Sequence, residues 1–371
     1  MNGLCKWNGP GCEAAGTLIL ILSFWTITMP LCSDADEPDM NQSKLQWRQA
    51  SALPDARGVA SPFAGLHGST LLVGGGANFP DRLPWEGGQK VWYDRVWALD
   101  RIDGTWRDAG QFPRPVGYGV SISTSDGLVC IGGSDAERHY SEVFRLTLRD
   151  NKLETKPLPP LPRRVANACG ALLGQTIYVA GGLESPNATS TLKTFFALDL
   201  AASTPQWKEL AAWPGSSRML AVAAVQDGSF FLVSGTDLSA DAAGKPERRY
   251  LADAYRYQPQ LGWKRIADIP HPVVAAPSPA PTIGPSQFLI IGGDDGSKVG
   301  FQPPQKHPGF PNRVLAYNTL TNVWSKVGMT PAPRVTAPTV KWDGQWLFVS
   351  GEQRPGVRSP EVWSLHAKPN E

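Results

Sequence analysis

The sequence predicts an all-β protein, a β-propeller of six blades in which the N-terminal strand completes the last blade. The main observation is an apolar run ending in a small-residue pair, which occurs six times, at residues 71–75, 129–133, 177–182, 230–235, 288–293 and 347–351. A second observation is that these runs recur at roughly regular spacing. A β-sandwich with glycine-rich turns has no reason to repeat its strands so regularly.

Each repeat supplies the strands of one blade. An alternating apolar strand follows every copy, at residues 96–100, 143–146, 195–199, 254–257, 314–317 and 362–365, as half-buried strands do. A short strand, usually headed by tryptophan, closes the unit at Trp106, Trp207, Trp263 and Trp324, and residues 153–156 are a version without tryptophan. A period of roughly 50–60 residues with four strands favours a kelch-type propeller.

The two ends of the repeat array complement each other. The sixth repeat has no tryptophan-headed strand after Leu365, and an extra strand of that type, with Trp47, precedes the first repeat. We therefore expect both ends to build one blade, which would leave no free sheet edge. Residues 36–371 then form a single six-bladed domain, although the chain exceeds the usual size of a single core.

Residues 1–35 have the pattern of a signal peptide followed by a spacer. An apolar stretch, residues 17–31, follows Lys6 and precedes Cys32 and acidic residues, as in secretory signals. We expect a periplasmic or secreted protein with no stable membrane insertion after signal removal. A retained anchor is the alternative, but the stretch is shorter than the ~20 residues of a membrane span. Lipid attachment at Cys32 is a further alternative.

The composition excludes several classes of function. A formal net charge of +2 gives no basic field of the kind that nucleic-acid binding requires. Cys130 and Cys169 lie in apolar runs and are predicted to be buried thiols. The five histidines are scattered singly, so no metal site is expected. The sequence leaves the oligomeric state open.

Charged side chains are predicted to converge at one mouth of the central channel. In a four-stranded antiparallel blade, the connection into the first strand and the connection after the second strand emerge on the same face. Five of the first connections carry arginine, a residue that binds carboxylates in bidentate fashion, and polar or acidic residues occupy the second ones. The candidate residues for binding a small anion are Arg57, Asn78, Arg114, Arg163, Arg218, Asp294 and Arg334. The alternative for each arginine is a role in shaping the turn, paired with a nearby acid.

The sixth repeat differs from the others, because Glu352 directly follows its small-residue pair. Pro355-Gly356 is typical of the central positions of a type II turn. Folding back at this turn should bring Glu352 and Arg358 onto opposing stems of a short hairpin. Without further information, a structural salt bridge remains an alternative to a catalytic pair.

The spacing of Gly351-Glu352, Pro355-Gly356 and Arg358 resembles that of the N-acetylneuraminate epimerases, or sialic acid mutarotases. The resemblance extends from about Trp47 to Leu365 and implies a six-bladed kelch-type propeller. It also implies that Glu352 is the proton acceptor, with Arg358 its partner at the substrate, and it matches Arg218 to an arginine of the family. The glutamate-bearing blade is terminal here and mid-chain in familiar members, so the chain resembles a cyclically permuted branch.

The function implied by this resemblance is interconversion of the α and β anomers of N-acetylneuraminate, a small acidic sugar, by ring opening and reclosure. Glu352 and Arg358 would be the catalytic residues, with Arg358 holding the substrate carboxylate or the negative charge on oxygen. No metal, other cofactor or covalent intermediate is required. The alternative is a non-catalytic kelch propeller that binds a glycan or a protein. The loop after Asn78 and residues 298–311 leave the exact sugar open.

Overall fold

The computed structural model describes residues 45–241 and 244–367. Six four-stranded antiparallel sheets form the six blades of a β-propeller, which confirms the predicted fold class. The segment expected to be a signal peptide and spacer, residues 1–35, lies outside the described residues. Within those residues, no helix has the length and apolarity needed to cross a bilayer.

Blades 1 to 5 follow one another along the chain, each running from its innermost to its outermost strand, and blade 6 does the same for its first three strands but takes its outermost strand from the beginning of the described chain. Blade 1 contains β2 (Phe63–His67), β3 (Thr70–Gly74), β6 (Arg95–Leu99) and β7 (Arg107–Gln111). Blade 2 contains β8 (Val120–Thr124), β9 (Gly127–Ile131), β10 (Val143–Arg149) and β11 (Lys152–Leu158). Blade 3 contains β12 (Cys169–Leu173), β13 (Thr176–Ala180), β14 (Phe195–Asp199) and β15 (Trp207–Glu209). Blade 4 contains β16 (Val222–Gln226), β17 (Ser229–Val233), β20 (Ala254–Gln258) and β21 (Gly262–Ile266). Blade 5 contains β22 (Thr282–Ile283), β23 (Gln287–Ile291), β24 (Arg313–Asn318) and β25 (Val323–Met329). Blade 6 contains β26 (Thr339–Trp342), β27 (Gln345–Val349), β30 (Val362–Ala367) and β1 (Leu45–Ala50).

Three blades carry an extra hairpin on the connection after the second strand. The hairpins are β4 (Ala77–Asn78) with β5 (Val91–Trp92) in blade 1, β18 (Thr236–Ala240) with β19 (Pro246–Tyr250) in blade 4, and β28 (Glu352–Arg354) with β29 (Val357–Arg358) in blade 6. Short 3-10 turns, Pro84–Glu86 and Pro304–Lys306, lie on the same connections of blades 1 and 5. These additions are therefore concentrated on the face where the sequence predicts the functional site.

The sixth blade is built from both ends of the described chain, as expected from the sequence. Strand β1 pairs antiparallel with β30, from Leu45 opposite Ala367 to Ala50 opposite Val362. Trp47 packs against Phe348 with ring centroids 5.3 Å apart. The outer strand of this blade thus comes from the beginning of the propeller and the other three from its end.

The hydrophobic core is distributed between neighbouring blades. Each of six buried clusters in the described chain combines side chains of two successive blades, including blades 6 and 1. Burying one large apolar side chain contributes about 1.5–3 kcal/mol, so each blade depends on both of its neighbours. Cys130 and Cys169 are free and buried in these clusters, and burial raises the pKa of Cys169 to about 12. Both are the buried thiols that the sequence predicts.

A closed circle of backbone hydrogen bonds surrounds the channel. One residue from the connection into each blade adopts a left-handed conformation, with φ between 46° and 60°. Each donates its N–H to the carbonyl of its counterpart in the preceding blade, at 2.7–3.1 Å. The members of this backbone circle are Ser61, Tyr118, Asn167, Leu220, Ala275 and Thr336. The bond from Ser61 to Thr336 closes the circle, and it joins blade 1 to blade 6.

Candidate functional site

The two connections that carry the predicted site residues lie side by side in every blade. A backbone bridge links the connection into the first strand to the residue after the small-residue pair, at Ala60 and Ala77, Gly117 and Ser134, Ala166 and Leu183, Met219 and Thr236, Val274 and Asp294, and Val335 and Glu352. Both connections therefore emerge on one face, as expected from the sequence. The bridge positions of blades 5 and 6 hold the carboxylates Asp294 and Glu352.

The hairpin β28–β29 places Glu352 directly opposite Arg358. Between these residues the chain turns at Pro355-Gly356, where Gly356 has a φ of +80°, as the second central position of a type II turn requires. A Cβ on Gly356 would lie 2.6 Å from Cγ of Pro84. Both the left-handed backbone and the close approach of blade 1 therefore require glycine.

Both oxygens of the Glu352 carboxylate have partners in the hairpin. Nη2 of Arg358 lies 2.9 Å from Oε2, and the Gly356 N–H donates to Oε1 at 3.2 Å. The Glu352 backbone exchanges two hydrogen bonds of 2.9 Å with Val335. The carboxylate is thus fixed in position, yet its side chain remains 17% exposed, against 3% for Arg358.

Burial raises the pKa of Glu352 above its ordinary value of 4.5, although three groups oppose the shift. Arg358, the Gly356 N–H and Lys90 lower the pKa, whereas the charge of Asp294 raises it further. A carboxylate with a raised pKa is suited to act as a general base closer to neutral pH. Gly356 approaches Pro84 of blade 1, and Pro355 lines a cavity together with Asp294 of blade 5, so the hairpin of Glu352 lies where blades 5, 6 and 1 meet.

Two of the three guanidinium nitrogens of Arg358 have no hydrogen-bond partner among the described residues. Its Nε and Nη1 are buried and find no acceptor among the described residues. The guanidinium packs on the Phe79 ring, 4.8 Å from Cζ to the centroid. Since buried donors without acceptors are costly, this guanidinium is suited to bind an oxygen supplied by a ligand.

The arginines Arg218 and Arg334 are buried and bonded to the protein. Nη1 of Arg218 donates to the Ser234 carbonyl at 2.8 Å, and Nη2 lies 2.7 Å from Asp253 Oδ2. Arg334 repeats this arrangement, with a 2.9 Å bond to the Ser350 carbonyl and an ion pair with Glu361. Their side chains are 0% and 2% exposed. The bonded donors tie the connection into a blade to the start of its third strand, and of the nitrogens of these two arginines Nε of Arg334 alone finds no acceptor among the described residues.

Two further arginines are paired on the surface. Nη1 of Arg114 lies 2.7 Å from Glu142, with Cζ 4.6 Å from the Tyr140 ring centroid. Arg163 lies 3.8 Å from Glu184 and stays two-fifths exposed. These contacts match the alternative role of an arginine paired with a nearby acid.

The remaining predicted residues divide between structural and accessible positions. Asn78 is buried, and its amide donates to the Gly58 carbonyl at 2.6 Å. Arg57 is exposed and borders a cavity of about 550 Å³ together with Arg358. Asp294 is half-buried and accepts a 2.6 Å hydrogen bond from the Tyr250 hydroxyl. The structure therefore brings Asp294 and Arg57 toward the hairpin of Glu352 but leaves Asn78 as a backbone brace.

A larger cavity of about 960 Å³ lies beside the Glu352 hairpin. Its lining includes Tyr250, Asp294, Phe301, His307 and Pro355. Residues 298–311, whose role the sequence leaves open, thus line this cavity together with the hairpin β18–β19. The space is of the size in which proteins hold small-molecule ligands.

Sequence reasoning misses Lys90, which lies on the loop between β4 and β5. The residue follows Gly87-Gly88-Gln89 and belongs to no charged motif. Its neighbours Phe79 and Trp92 stand at either end of the loop, and Tyr118 comes from another blade. Only the hairpin, a non-local feature, brings these residues together.

Comparison with known proteins agrees with this architecture. A family model for N-acetylneuraminate epimerase matches residues 31–155 and 158–299. A protein named N-acetylneuraminate epimerase from Salmonella typhi is 38% identical over 132 residues, covering 31% of this chain and 34% of that protein. One of the same name from Haemophilus influenzae is 29% identical over 227 residues, covering 55% of this chain and 58% of that protein.

The chain thus spans about a third of the length of the Salmonella relative and under two thirds of the Haemophilus one. The match to the family model ends at residue 299, so Glu352 and Arg358 are placed by the geometry of the sixth blade. The six blades and the extent of the family match lead to one conclusion: the chain belongs to the N-acetylneuraminate epimerase family.

Proposed function

We propose that this protein is a mutarotase that interconverts the α and β anomers of N-acetylneuraminate. The observation that carries the proposal is the Glu352 carboxylate, fixed by Arg358 at the channel mouth, with a pKa raised by burial. The name of the family and of the relatives supports an epimerase acting on this sugar. The cavity bordered by Asp294 and Pro355 supplies room for it beside the hairpin.

The reaction requires two proton transfers. Glu352 accepts the proton of the anomeric hydroxyl, whose oxygen becomes the carbonyl oxygen of the open-chain keto form. The bond between the anomeric carbon and the ring oxygen breaks, its electron pair stays on the ring oxygen, and that oxygen takes up a proton from water, which is returned to water on reclosure. Rotation and reclosure in the reverse order give the other anomer. A positioned general base contributes about 10²- to 10⁴-fold to such a step.

Arg358 has two roles in this mechanism. Its contact with Oε2 of Glu352 orients the carboxylate and favours its ionised form. Its unbonded Nε and Nη1 can donate to substrate oxygen as negative charge develops there, which is the electrostatic stabilisation that oxyanion sites provide. Binding of the substrate carboxylate is the alternative use of these donors.

The test is anomer exchange of N-acetylneuraminate, followed by proton NMR against the uncatalysed rate. Glu352→Gln should lower the catalysed rate about 100-fold or more, with the propeller still folded. Glu137→Gln is the matched control, because Glu137 is an exposed acid on the equivalent connection of blade 2. An unchanged rate for Glu352→Gln would exclude this residue as the base. Tight glycan binding without any acceleration by the unaltered protein would favour the non-catalytic alternative.

A further inference from the structure

Lys90 lies in a cradle of three aromatic rings at the channel mouth. Its Nζ is 5.1 Å from the ring centroid of Tyr118, 5.4 Å from that of Trp92 and 5.9 Å from that of Phe79. Trp92 belongs to the hairpin β4–β5, Phe79 follows β4, and Tyr118 is a member of the backbone circle. A cation within about 6 Å of an aromatic face is attracted by it, so the cradle holds the ammonium group beside the three rings.

The three aromatic rings position the ammonium group of Lys90 but do not neutralise its charge. Aromatic faces attract a cation without carrying a formal charge. In residues 45–241 and 244–367, no carboxylate forms an ion pair with Lys90, and the residue is exposed. Lys90 therefore offers a full charge and hydrogen-bond donors to a molecule that enters the mouth.

Lys90 lies close to the proposed base. The Phe79 ring that contacts Lys90 also packs against Arg358, whose Cζ is 4.8 Å from its centroid. Lys90 also acts electrostatically on Glu352. The Phe79 ring thus links the two cations, one within the hairpin of Glu352 and one from blade 1.

The charge of Arg358 is balanced by Glu352, whereas the charge of Lys90 is not. Arg358 and Glu352, 2.9 Å apart, together carry no net charge, so this pair alone gives little attraction for an anion. Asp294 adds a negative charge near the hairpin and Arg57 a positive one, so the positive charge of Lys90 remains in excess for an anionic substrate. Without it, the substrate carboxylate would approach the ionised base with unfavourable like-charge interaction.

The chemistry of the substrate requires a cation at this place. In a cyclic 2-keto acid sugar, the carboxylate and the anomeric hydroxyl are attached to the same carbon. A base that reaches the hydroxyl therefore has the substrate carboxylate beside it. The cation that binds this carboxylate must accordingly adjoin the base.

We propose that Lys90 binds the substrate carboxylate and makes the site selective for acidic over neutral ketoses. This assignment rests on the proposed function, and it leaves Arg358 to orient Glu352 and to stabilise negative charge on the reacting oxygens. Lys90 is then a substrate-binding residue supplied by the extra hairpin of blade 1.

The test compares N-acetylneuraminate with its uncharged methyl ester, using exchange NMR to measure KM and kcat for anomer exchange. Lys90→Met, which keeps the length of the side chain, should raise KM for the acid about 10- to 100-fold, the range for one lost charged hydrogen bond. KM for the ester should stay within about twofold. Lys90→Arg should restore part of the affinity for the acid. Lys341→Met is the matched control, because Lys341 also packs on an aromatic ring, 5.8 Å from the Trp346 centroid, but lies on β26 near its turn into β27.

Two results would overturn the assignment of Lys90. One is an equal rise in KM for the acid and the ester. The other is a change confined to the pH dependence of kcat, which would leave Lys90 as a group that merely adjusts Glu352. If the unaltered protein does not accelerate anomer exchange, the proposed function fails separately. Calorimetric titration with the acid and the ester then still tests Lys90. Loss of the preference for the acid in Lys90→Met supports the assignment. An equal change in affinity for both ligands, or no change, contradicts it.

Discussion

Glu352 and Arg358 face each other across a Pro-Gly turn, with Nη2 of the guanidinium 2.9 Å from Oε2 of the carboxylate. The proposed base and its cationic partner thus belong to one hairpin of seven residues, 352–358. Their separation is set by the turn rather than by the packing of distant elements. This local construction explains why the pair can be placed from sequence spacing alone.

The pH dependence of kcat should show Glu352 titrating above 4.5, because burial raises its pKa. The ionised carboxylate is the base, so the catalysed rate should rise as pH increases through that raised pKa. In Arg358→Gln the pKa should rise further, because a group that lowers it is removed, and the acid limb should move to higher pH. Rates of anomer exchange measured between pH 4 and 8 check this. A limb at or below 4.5 in the unaltered protein would contradict the buried environment of Glu352.

Replacement of the Asp294 carboxylate should shift the acid limb of the pH profile to lower pH. The negative charge of Asp294 raises the pKa of Glu352, so Asp294→Asn should lower that pKa and extend activity to lower pH. Tyr250→Phe is the companion variant, since it removes the 2.6 Å hydrogen bond to Asp294 and keeps the charge. The limb should therefore move in Asp294→Asn and stay closer to its original position in Tyr250→Phe. Equal shifts would mean that the charge of Asp294 does not act on Glu352.

Arg218 should matter for stability more than for substrate binding. Its guanidinium is 0% exposed, paired with Asp253 at 2.7 Å, and breaking a buried pair by removing one partner costs about 3–5 kcal/mol. Arg218→Met should lower the free energy of unfolding, measured with denaturant, by an amount of that order. The folded fraction should keep its KM for N-acetylneuraminate. Arg163→Met is the control, because that arginine is exposed and 3.8 Å from its acid, and it should change stability by less than about 1 kcal/mol. A raised KM in Arg218→Met with unchanged stability would restore the substrate-binding role.

Gly356→Ala should impair the hairpin that holds the base. The glycine has a φ of +80°, which costs an L-residue about 1–2 kcal/mol, and an added Cβ would lie 2.6 Å from Cγ of Pro84. We expect a lower rate of anomer exchange with little loss in the thermal midpoint, since the hairpin lies outside the six sheets. Gly344→Ala is informative as a control, because Gly344 has a similar φ of +75° but nothing within 4 Å of its added Cβ. Equal activity in both variants would argue against a need for the Pro84 contact.

Much of the fold follows from the sequence because its signals are local and repeated. The apolar runs, the tryptophan-headed strands and Pro355-Gly356 each specify a short piece of backbone, and repetition leaves little choice in how the pieces assemble. Even the shared blade follows from the strand that contains Trp47. The burial of Arg218 and Arg334 does not, because it depends on carbonyls and acids that lie 16 to 35 residues further along the chain. The surroundings of Lys90 cannot be predicted from the sequence for a similar reason, because Tyr118, one of the three rings around it, comes from a different blade.

The pairing of β1 with β30 also has a consequence for biosynthesis. Glu352 lies in the blade that can be completed only when residues 362–367 meet residues 45–50. A ribosome must therefore translate almost the whole propeller before that sheet gains its outer strand. A polypeptide that ended before residue 362 would retain several blades but would lack both β30 and the pairing partner of β1, so the sheet beside the Glu352 hairpin would stay incomplete.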